Sequence, residues 1–232
     1  MKKYKHILFD LDHTLWDFDR NSAETLVELH TEYAIEDQHG IDVHHFVSTY
    51  SDINAELWRL YDRGDISKHQ LRKVRFEQLF QRFGASDNTL AATLDTAYID
   101  RCPEKTHLFE GTLPLLDQLY DAYNLHIITN GFNETQARKL KASGLTGYFQ
   151  TVTTSENARC KKPDPNIFYH KLHKIKATEK ECIMIGDNLL NDVIGARGVA
   201  IDQVFFNHRN EIHQEKITYE IKAINELRDI LL

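Results

Sequence analysis

Lys5-His6-Ile7-Leu8-Phe9-Asp10-Leu11-Asp12-His13-Thr14-Leu15 is a short apolar run that stops on two acids. Ile7-Leu8-Phe9 has the uninterrupted hydrophobicity of a strand buried on both faces, as in a parallel sheet. Residues i and i+2 of an extended chain point to one side, so Asp10 and Asp12 are expected to face a common space. Two carboxylates aimed together repel unless a cation lies between them or one holds a proton. The stretch therefore predicts a metal site, a nucleophile with its acid/base partner, or both. The plain alternative is a solvated turn, where aspartate is common.

Outward from this stretch, 232 residues are enough for a substantial core and one inserted subdomain. The formal net charge of -7 argues against a broad nucleic-acid surface. The basic start Met1-Lys2-Lys3 precedes an apolar run too short for a signal peptide, and no window approaches the ~18 apolar residues of a membrane span. Cys102, Cys160 and Cys182 form no CxxC pair and no even framework. These features predict a cytoplasmic protein with no membrane and no nucleic-acid polymer as partner. Cys160, between Arg159 and Lys161, sits where a thiolate is favoured, but lacks a visible catalytic partner.

Residues 16–106 read as four helical segments. The first opens at Asn21, with Glu24 three positions on. The second repeats Phe46, Tyr50, Ile53, Leu57 and Leu60 at spacings of four and three, and stops near Gly64. Ser67 and Gln70 predict a capping box for a third helix carrying Leu71, Val74, Leu79 and Phe83, ended by Gly84. Ser86 caps a fourth with Leu90, Leu94 and Tyr98. From 107 on, strand and helix alternate: strands at 125–128, 150–153, 182–185 and 203–206, with helices at 113–123, 133–143, after Asp164-Pro165, at 191–198 and at 221–232. The pattern predicts a doubly wound parallel α/β sheet made of residues 1–15 and 107–232, interrupted after its first strand by a helical domain of residues 16–106.

Open α/β sheets bind ligands at the carboxyl ends of their strands. Four polar signals fall there: Asp10/Asp12, Thr129-Asn130, Lys162, and Asp187 with Asp192. Each alone has a bland reading as a turn, a solvated charge or a helix cap; together they describe one chemistry. Asp10 and Asp187 suit a hard, oxygen-seeking cation such as Mg²⁺. The Thr129 hydroxyl and Asn130 amide can hold an anion beside a helix N-terminus, and Lys162 adds positive charge. Acids, one metal, one lysine and amide donors make a phosphoryl-transfer site, with Asp12 as its available acid/base.

The series Asp10-x-Asp12-x-Thr14, Thr129-Asn130, Lys162-Pro163-Asp164-Pro165 and Gly186-Asp187-x4-Asp192 resembles the haloacid dehalogenase (HAD) superfamily over the whole chain, in order. The resemblance implies a Rossmann-like core with the four-helix insertion as a cap domain. It also implies that Asp10 is the nucleophile of an aspartyl-phosphate intermediate, and that Asp12 protonates the leaving oxygen, activates water and lends its backbone carbonyl to the metal. Asp187 would bind metal, Asp192 would support the metal or the lysine, and Lys162 would steady nucleophile and phosphate. Ile128-Thr129-Asn130-Gly131-Phe132, the stretch from Leu57-Trp58 to Gly64-Asp65-Ile66-Ser67, and Arg75-Phe76-Glu77 resemble the pyrimidine 5'-nucleotidases of that superfamily. Ala158-Arg159-Cys160-Lys161 departs from the small Gly/Val-rich approach to the lysine common there.

This resemblance implies a Mg²⁺-dependent phosphomonoesterase acting on a small phosphate ester, a nucleoside 5'-monophosphate above all, with Asn54, Trp58 and Arg75 as candidate specificity residues. Rival readings are a phosphosugar phosphatase or mutase, a dehalogenase, and a binding protein on a hydrolase fold. Asp12 argues against the dehalogenase, since halide leaves without a proton; the complete acid set argues against the binding protein. Tyr61 reads as core, Arg63, Arg72 and Arg75 as solvated by default, and the 13 histidines as surface or cap residues rather than ligands.

Overall fold

A computed structural model describes residues 3–232; Met1 and Lys2, part of the basic N-terminal start, lie outside the described residues. The chain forms two compact units, Met1–Phe18 with Thr106–Leu232, and Asp19–Lys105.

The first unit begins with β1 (His6–Phe9), whose apolar side chains are fully buried. The chain then enters the helical unit. Its helices are α1 (Phe18–Glu32), α2 (Ile35–His39), α3 (Val43–Arg63), α4 (Lys68–Lys73), α5 (Arg75–Arg82) and α6 (Asn88–Arg101). Helix α3 follows its predicted spacing: Asp42 caps it by accepting from the His44 and His45 backbone N–H groups, and Gly64 closes it at φ 85°. The Ser67/Gln70 capping box forms as well.

Four local expectations are corrected. Helix α1 starts three residues before Asn21, which is buried inside it. The third predicted helix is broken at Val74, and the break turns Phe76 and Phe80 inward while Phe83 is left exposed. The cap of α6 is Asp87, accepting from Leu90 N–H at 2.9 Å, rather than Ser86. The one-turn helix α2 is additional. The interior of this unit is aromatic: the Tyr50 ring lies 4.8 Å from Phe76 and 4.9 Å from Tyr98, with Phe46, Leu79 and Leu94 buried around them.

Beyond the insertion come α7 (Thr112–Tyr120), β2 (Asn124–Thr129), α8 (Asn133–Ala142), β3 (Thr151–Thr154), α9 (Ser155–Ala158) and α10 (Pro165–Ile175). They are followed by β4 (Cys182–Gly186), a π-helical turn over Leu189–Ile194, α11 (Gly195–Gly198), β5 (Asp202–Phe206), β6 (Tyr219–Ile221) and α12 (Leu227–Leu231). The six strands are all parallel, in the order β3-β2-β1-β4-β5-β6. This is the expected doubly wound Rossmann-like sheet. The most apolar strands, β1, β2 and β4, lie at its centre, where both faces are covered. The sequence around 221 misled: a three-residue edge strand stands there, and the terminal helix shrinks to Leu227–Leu231. A strand this short carries too little pattern to be recognised.

The order places β1 beside both β2 and β4, so the first strand's carboxyl end lies between those of the other two. Phe9 is paired with Ile127 and Ile185. One residue later, Asp10 N–H donates to the Ile185 carbonyl at 2.9 Å. The acids of β1, the Thr129 segment of β2 and the Asp187 segment of β4 are thereby brought to one edge.

Candidate active site

Asp10 is the centre of a buried ion network. Lys162 reaches in from the loop before α10 and donates to Asp10 Oδ1 at 2.7 Å, Asp192 Oδ1 at 2.6 Å and the Ile128 carbonyl at 2.9 Å. All three ammonium hydrogens are therefore committed. Its side chain is only 3% exposed, so it is no solvated charge. Burial opposes the charge on Lys162, but the two carboxylates outweigh it and raise its pKa.

Asp192 enters from the π-helical turn. Its Oδ2 accepts the Asn188 N–H at 3.0 Å, and a Cβ on Gly186 would lie 2.2 Å from that oxygen. Glycine at 186 is what lets the acid close on the strand end. Asp187 follows, its Oδ1 accepting from the Thr14 hydroxyl at 3.2 Å.

One oxygen from each of Asp10, Asp187 and Asp192 lies within 4.8 Å of the others. Three carboxylates against one lysine leave an excess of negative charge at this edge. Burial, opposed by Lys162 and reinforced by Asp192, pushes Asp10 up to about 7. Burial and repulsion from Asp192 and Asp10 push Asp187 well above the carboxylate range, with Arg209 and Lys162 pulling the other way. A buried all-oxygen donor set that a divalent cation would neutralise fits Mg²⁺. The side-chain cluster includes Asp192, the acid expected to support the metal or the lysine.

The strand ends at Phe9, so strand alternation does not by itself place Asp12 beside Asp10, yet the Asp12 charge is near enough to push the Asp10 carboxyl up. The Asp12 carboxylate is bound by two residues of α8: Lys139 Nζ at 2.5 Å from Oδ1 and Gln136 Nε2 at 2.8 Å from Oδ2. Burial pushes the Asp12 carboxyl up, but the charge and hydrogen bond of Lys139, with the bond from Gln136, outweigh it and hold the group below its ordinary value.

Gln136 Nε2 also donates to Thr129 Oγ1 at 2.8 Å, and the Gly131 N–H donates to the same oxygen at 3.1 Å. With both acceptor positions of that hydroxyl filled, its O–H is left to donate outward, as an anion requires. Asn130 behaves differently. Its amide donates to the Lys162 carbonyl at 2.9 Å and accepts the Lys162 N–H at 2.8 Å, so it anchors the lysine loop. The expected free N–H groups at the start of α8 are also partly used, since Asn133 N–H donates to Glu156 at 2.7 Å.

Gln136, Lys139 and Arg209 were not singled out by the sequence reading, and Thr14 entered it only as the last residue of the Asp10-x-Asp12-x-Thr14 motif. Gln136 and Lys139 carry a signal in hindsight: polar residues three apart in the helix that follows a site-bearing strand. Arg209, from the loop after β5, donates to His13 Nδ1 at 2.7 Å.

The remaining candidates lie in the helical unit. Asn54 and Arg75 are buried, so Arg75 is not the solvated residue expected by default. Its Nε stands 3.6 Å from Asp95 Oδ1, and its guanidinium 5.2 Å from the Tyr98 ring centroid. Trp58 is half-buried, edge-on to Tyr61 at 5.5 Å, and Tyr61 is half-buried rather than core. Two further expectations fail. His126 is buried in the sheet unit, neither at the surface nor in the helical unit. Burial and Asp164 raise the Cys160 thiol, against the thiolate suggested by its neighbours in sequence.

Among the described residues, no helix is long and apolar enough to cross a membrane.

Comparison with known proteins agrees with this geometry. Residues 4–199 match the model of the haloacid dehalogenase-like hydrolase family. The pyrimidine 5'-nucleotidase PynA of Streptococcus pneumoniae is 36% identical, over 98% of this chain and 95% of that protein. The pyrimidine 5'-nucleotidase YjjG of Escherichia coli is 28% identical over 99% and 98%. The crystal structure of the HAD-hydrolase YfnB of Bacillus subtilis bound to magnesium superposes with a TM-score of 0.89 at 29% identity, covering 99% of each chain. The chain belongs to the haloacid dehalogenase-like hydrolases and is a phosphoric monoester hydrolase among them.

Proposed function

We propose that the protein is a Mg²⁺-dependent nucleoside 5'-monophosphatase with a preference for pyrimidines, working through an aspartyl-phosphate on Asp10. The observation that carries the reading is the Asp10–Lys162–Asp192 network beside Asp187, a nucleophile fixed by a saturated lysine within a carboxylate cluster. The nucleotide preference rests on the two nucleotidase relatives.

In this reading the negative charge of the bound phosphate ester favours protonation of Asp12 from solvent; Asp10 attacks phosphorus, the ester P–O bond breaks, and Asp12 gives that proton to the departing oxygen. Asp12 then takes a proton from water as that water attacks phosphorus, which releases inorganic phosphate and restores Asp10. Lys162 keeps Asp10 oriented and sets positive charge against the phosphoryl group. Thr129 donates to a phosphate oxygen, and Asn130 holds the lysine loop in register. Asp10, Asp187 and the backbone carbonyl of Asp12 are assigned as ligands for the metal, with Asp192 as supporting acid. A divalent cation held there supplies neutralisation of the carboxylates and of the phosphate charge.

The phosphate-binding groups at the sheet edge meet what every candidate substrate shares. Choice among leaving groups is therefore assigned to the helical unit, residues 16–106 in the sequence reading, with Trp58, Asn54 and Arg75 as its reporters. The cytoplasm is the compartment this reading assigns.

The test compares Asp10→Asn with Asp12→Asn in the presence and absence of chelator. Asp10→Asn is expected to form no phosphoenzyme on any substrate. Asp12→Asn should lose about 10²–10⁴ in rate on a nucleotide, and less on nitrophenyl phosphate, whose leaving group departs unprotonated. Full activity in excess chelator would remove the metal from the reading; equal losses on both substrates would remove the general-acid role of Asp12.

A further inference from the structure

Lys139 and Gln136 are two polar residues with almost no solvent access: Gln136 is fully buried and the Lys139 side chain 4% exposed. Such burial is unusual for either type and calls for a reason. They lie three apart on α8, on one face, and both turn to the same carboxylate. Lys139 takes Asp12 Oδ1 and Gln136 takes Oδ2.

A carboxylate held by one oxygen can still swing about its Cβ–Cγ bond; one held by both is fixed in plane and direction. The lysine is itself held. Its ammonium lies 4.2 Å from the Trp16 ring centroid and 5.3 Å from that of Phe18, within the range of cation–π attraction. Gln136 is packed against backbone: a Cβ on Gly131 would lie 2.2 Å from its Nε2. The same nitrogen donates to Thr129 Oγ1 at 2.8 Å, tying the Asp12 carboxylate to the hydroxyl at the end of β2.

We propose that Lys139 and Gln136 are positioning residues for phosphate-ester hydrolysis: together they aim the Asp12 carboxylate, and Gln136 couples that aim to the Thr129 hydroxyl. The inference rests on the acid/base reading of Asp12 given above. It differs from a purely structural ion pair in what its loss does. A structural pair affects all substrates alike through folding, whereas misaiming Asp12 slows both of its proton transfers and so adds a loss specific to substrates whose leaving oxygen needs a proton; orientation errors there are costly.

The experiment uses the full chain with Mg²⁺, and measures kcat and KM on nitrophenyl phosphate and on a nucleoside monophosphate. The variants are Lys139→Met, Gln136→Met, Asp12→Asn and the double variant Asp12→Asn/Lys139→Met. Lys139→Met is expected to lower kcat on the nucleotide by about 10- to 100-fold, and several-fold less on nitrophenyl phosphate. In the Asp12→Asn background the further loss should vanish, because a residue acting through Asp12 has nothing left to aim. Gln136→Met should lower kcat in the same selective way and also raise KM on both substrates, through Thr129.

If Lys139→Met does not fold by thermal melting, Gln136→Met, which keeps the cation, carries the same comparison. If Asp12→Asn is itself damaging while the Lys139 loss is equal on both substrates or adds to it, this inference falls alone. If Asp12→Asn spares the nucleotide, the reading of Asp12 falls and this inference with it.

Discussion

Two of the buried lysines of the sheet unit are held in opposite ways. Lys162, at the carboxyl ends of the strands, is held between Asp10 and Asp192. Lys171, on α10, is also fully buried, but its ammonium meets only Thr151: the hydroxyl at 3.0 Å and the carbonyl at 3.5 Å. Burial lowers the proton affinity of both. The carboxylates overturn that at Lys162, whereas burial, joined by repulsion from Lys174, brings Lys171 down to about 7. His126, which donates to or accepts from the same Thr151 hydroxyl at 3.0 Å, is pushed down to about 3 by burial and by the charge of Lys171. The difference teaches that burial sets only the cost of a charge. Which elements supply partners decides whether the charge survives, and at the carboxyl ends of these strands they supply acids.

Breaking the carboxyl-end network should have the largest effect. Lys162→Met leaves Asp10 and Asp192 buried without their cation, a defect expected to destabilise the metal-free protein by about 3–5 kcal/mol. Hydrolysis should fall by at least about 10²-fold, as when one donor to a developing charge is removed. Thermal melts with and without Mg²⁺ check the assignment, since bound cation should recover part of the loss by stabilising the folded state alone. A variant as stable and active as the parent would mean that the network is not the site.

Breaking the opposite end should have the reverse sign. Lys171→Met removes a charge that burial disfavours, and is expected to stabilise the protein by about 1–4 kcal/mol at neutral pH. The pH dependence sharpens this. Unfolded, the amine titrates near its ordinary 10.5; folded, near 7. Between those values the unfolded chain binds more protons, so this residue makes stability rise with pH from about 7 to about 10.5, and its penalty is constant below that window. Denaturant melts of parent and Lys171→Met across the window should show a slope in the parent that the variant lacks. Parallel curves would show that Lys171 stays charged throughout.

The smallest expected effect extends the comparison to the helical unit. There Asn54 Oδ1, Tyr50 Oη and both carboxylate oxygens of Asp95 lie buried without a hydrogen-bond partner, and Asp95 is pushed up to about 7 by burial against the opposing charge of Arg75. This is neither the saturated network of Lys162 nor an apolar core. Trp58, half-buried near the end of α3 and edge-on to Tyr61, is the candidate to stack a base. Stacking of a base is worth about 1–3 kcal/mol, so Trp58→Ala should cost roughly tenfold to a hundredfold in kcat/KM on a pyrimidine monophosphate. Acetyl phosphate should be hydrolysed nearly as before. Equal losses on both would make Trp58 a packing residue only.

How much of this was legible depended on how local the signal was. Ile7-Leu8-Phe9, Leu125 to Ile128 and Cys182 to Ile185 are apolar runs that can be satisfied only in the middle of a sheet, and they stand there. Phe46, Tyr50, Ile53 and Leu57 kept their helical spacing because one face of α3 had to be buried. The Asp87 cap and the break at Val74 were missed because the choice among neighbouring residues turns on which face packs inward, and that depends on α5 and α6 together.

The site divides along the same line. By themselves, the residues determined that Asp10, Lys162, Asp187 and Asp192 would meet at one edge, because strand ends in a parallel sheet share an edge whatever the rest of the chain does. Tertiary structure alone decided which acid each cation would take. Asp12 went to Lys139 and Gln136 because α8 presents them to the end of β1, Asn130 went to the Lys162 backbone, and Lys171 was sealed in without an acid. Charge in a sequence says that a partner is needed. Only packing says which groups lie within reach, since an ion pair in a buried place is chosen by distances of a few ångströms between elements far apart in the chain.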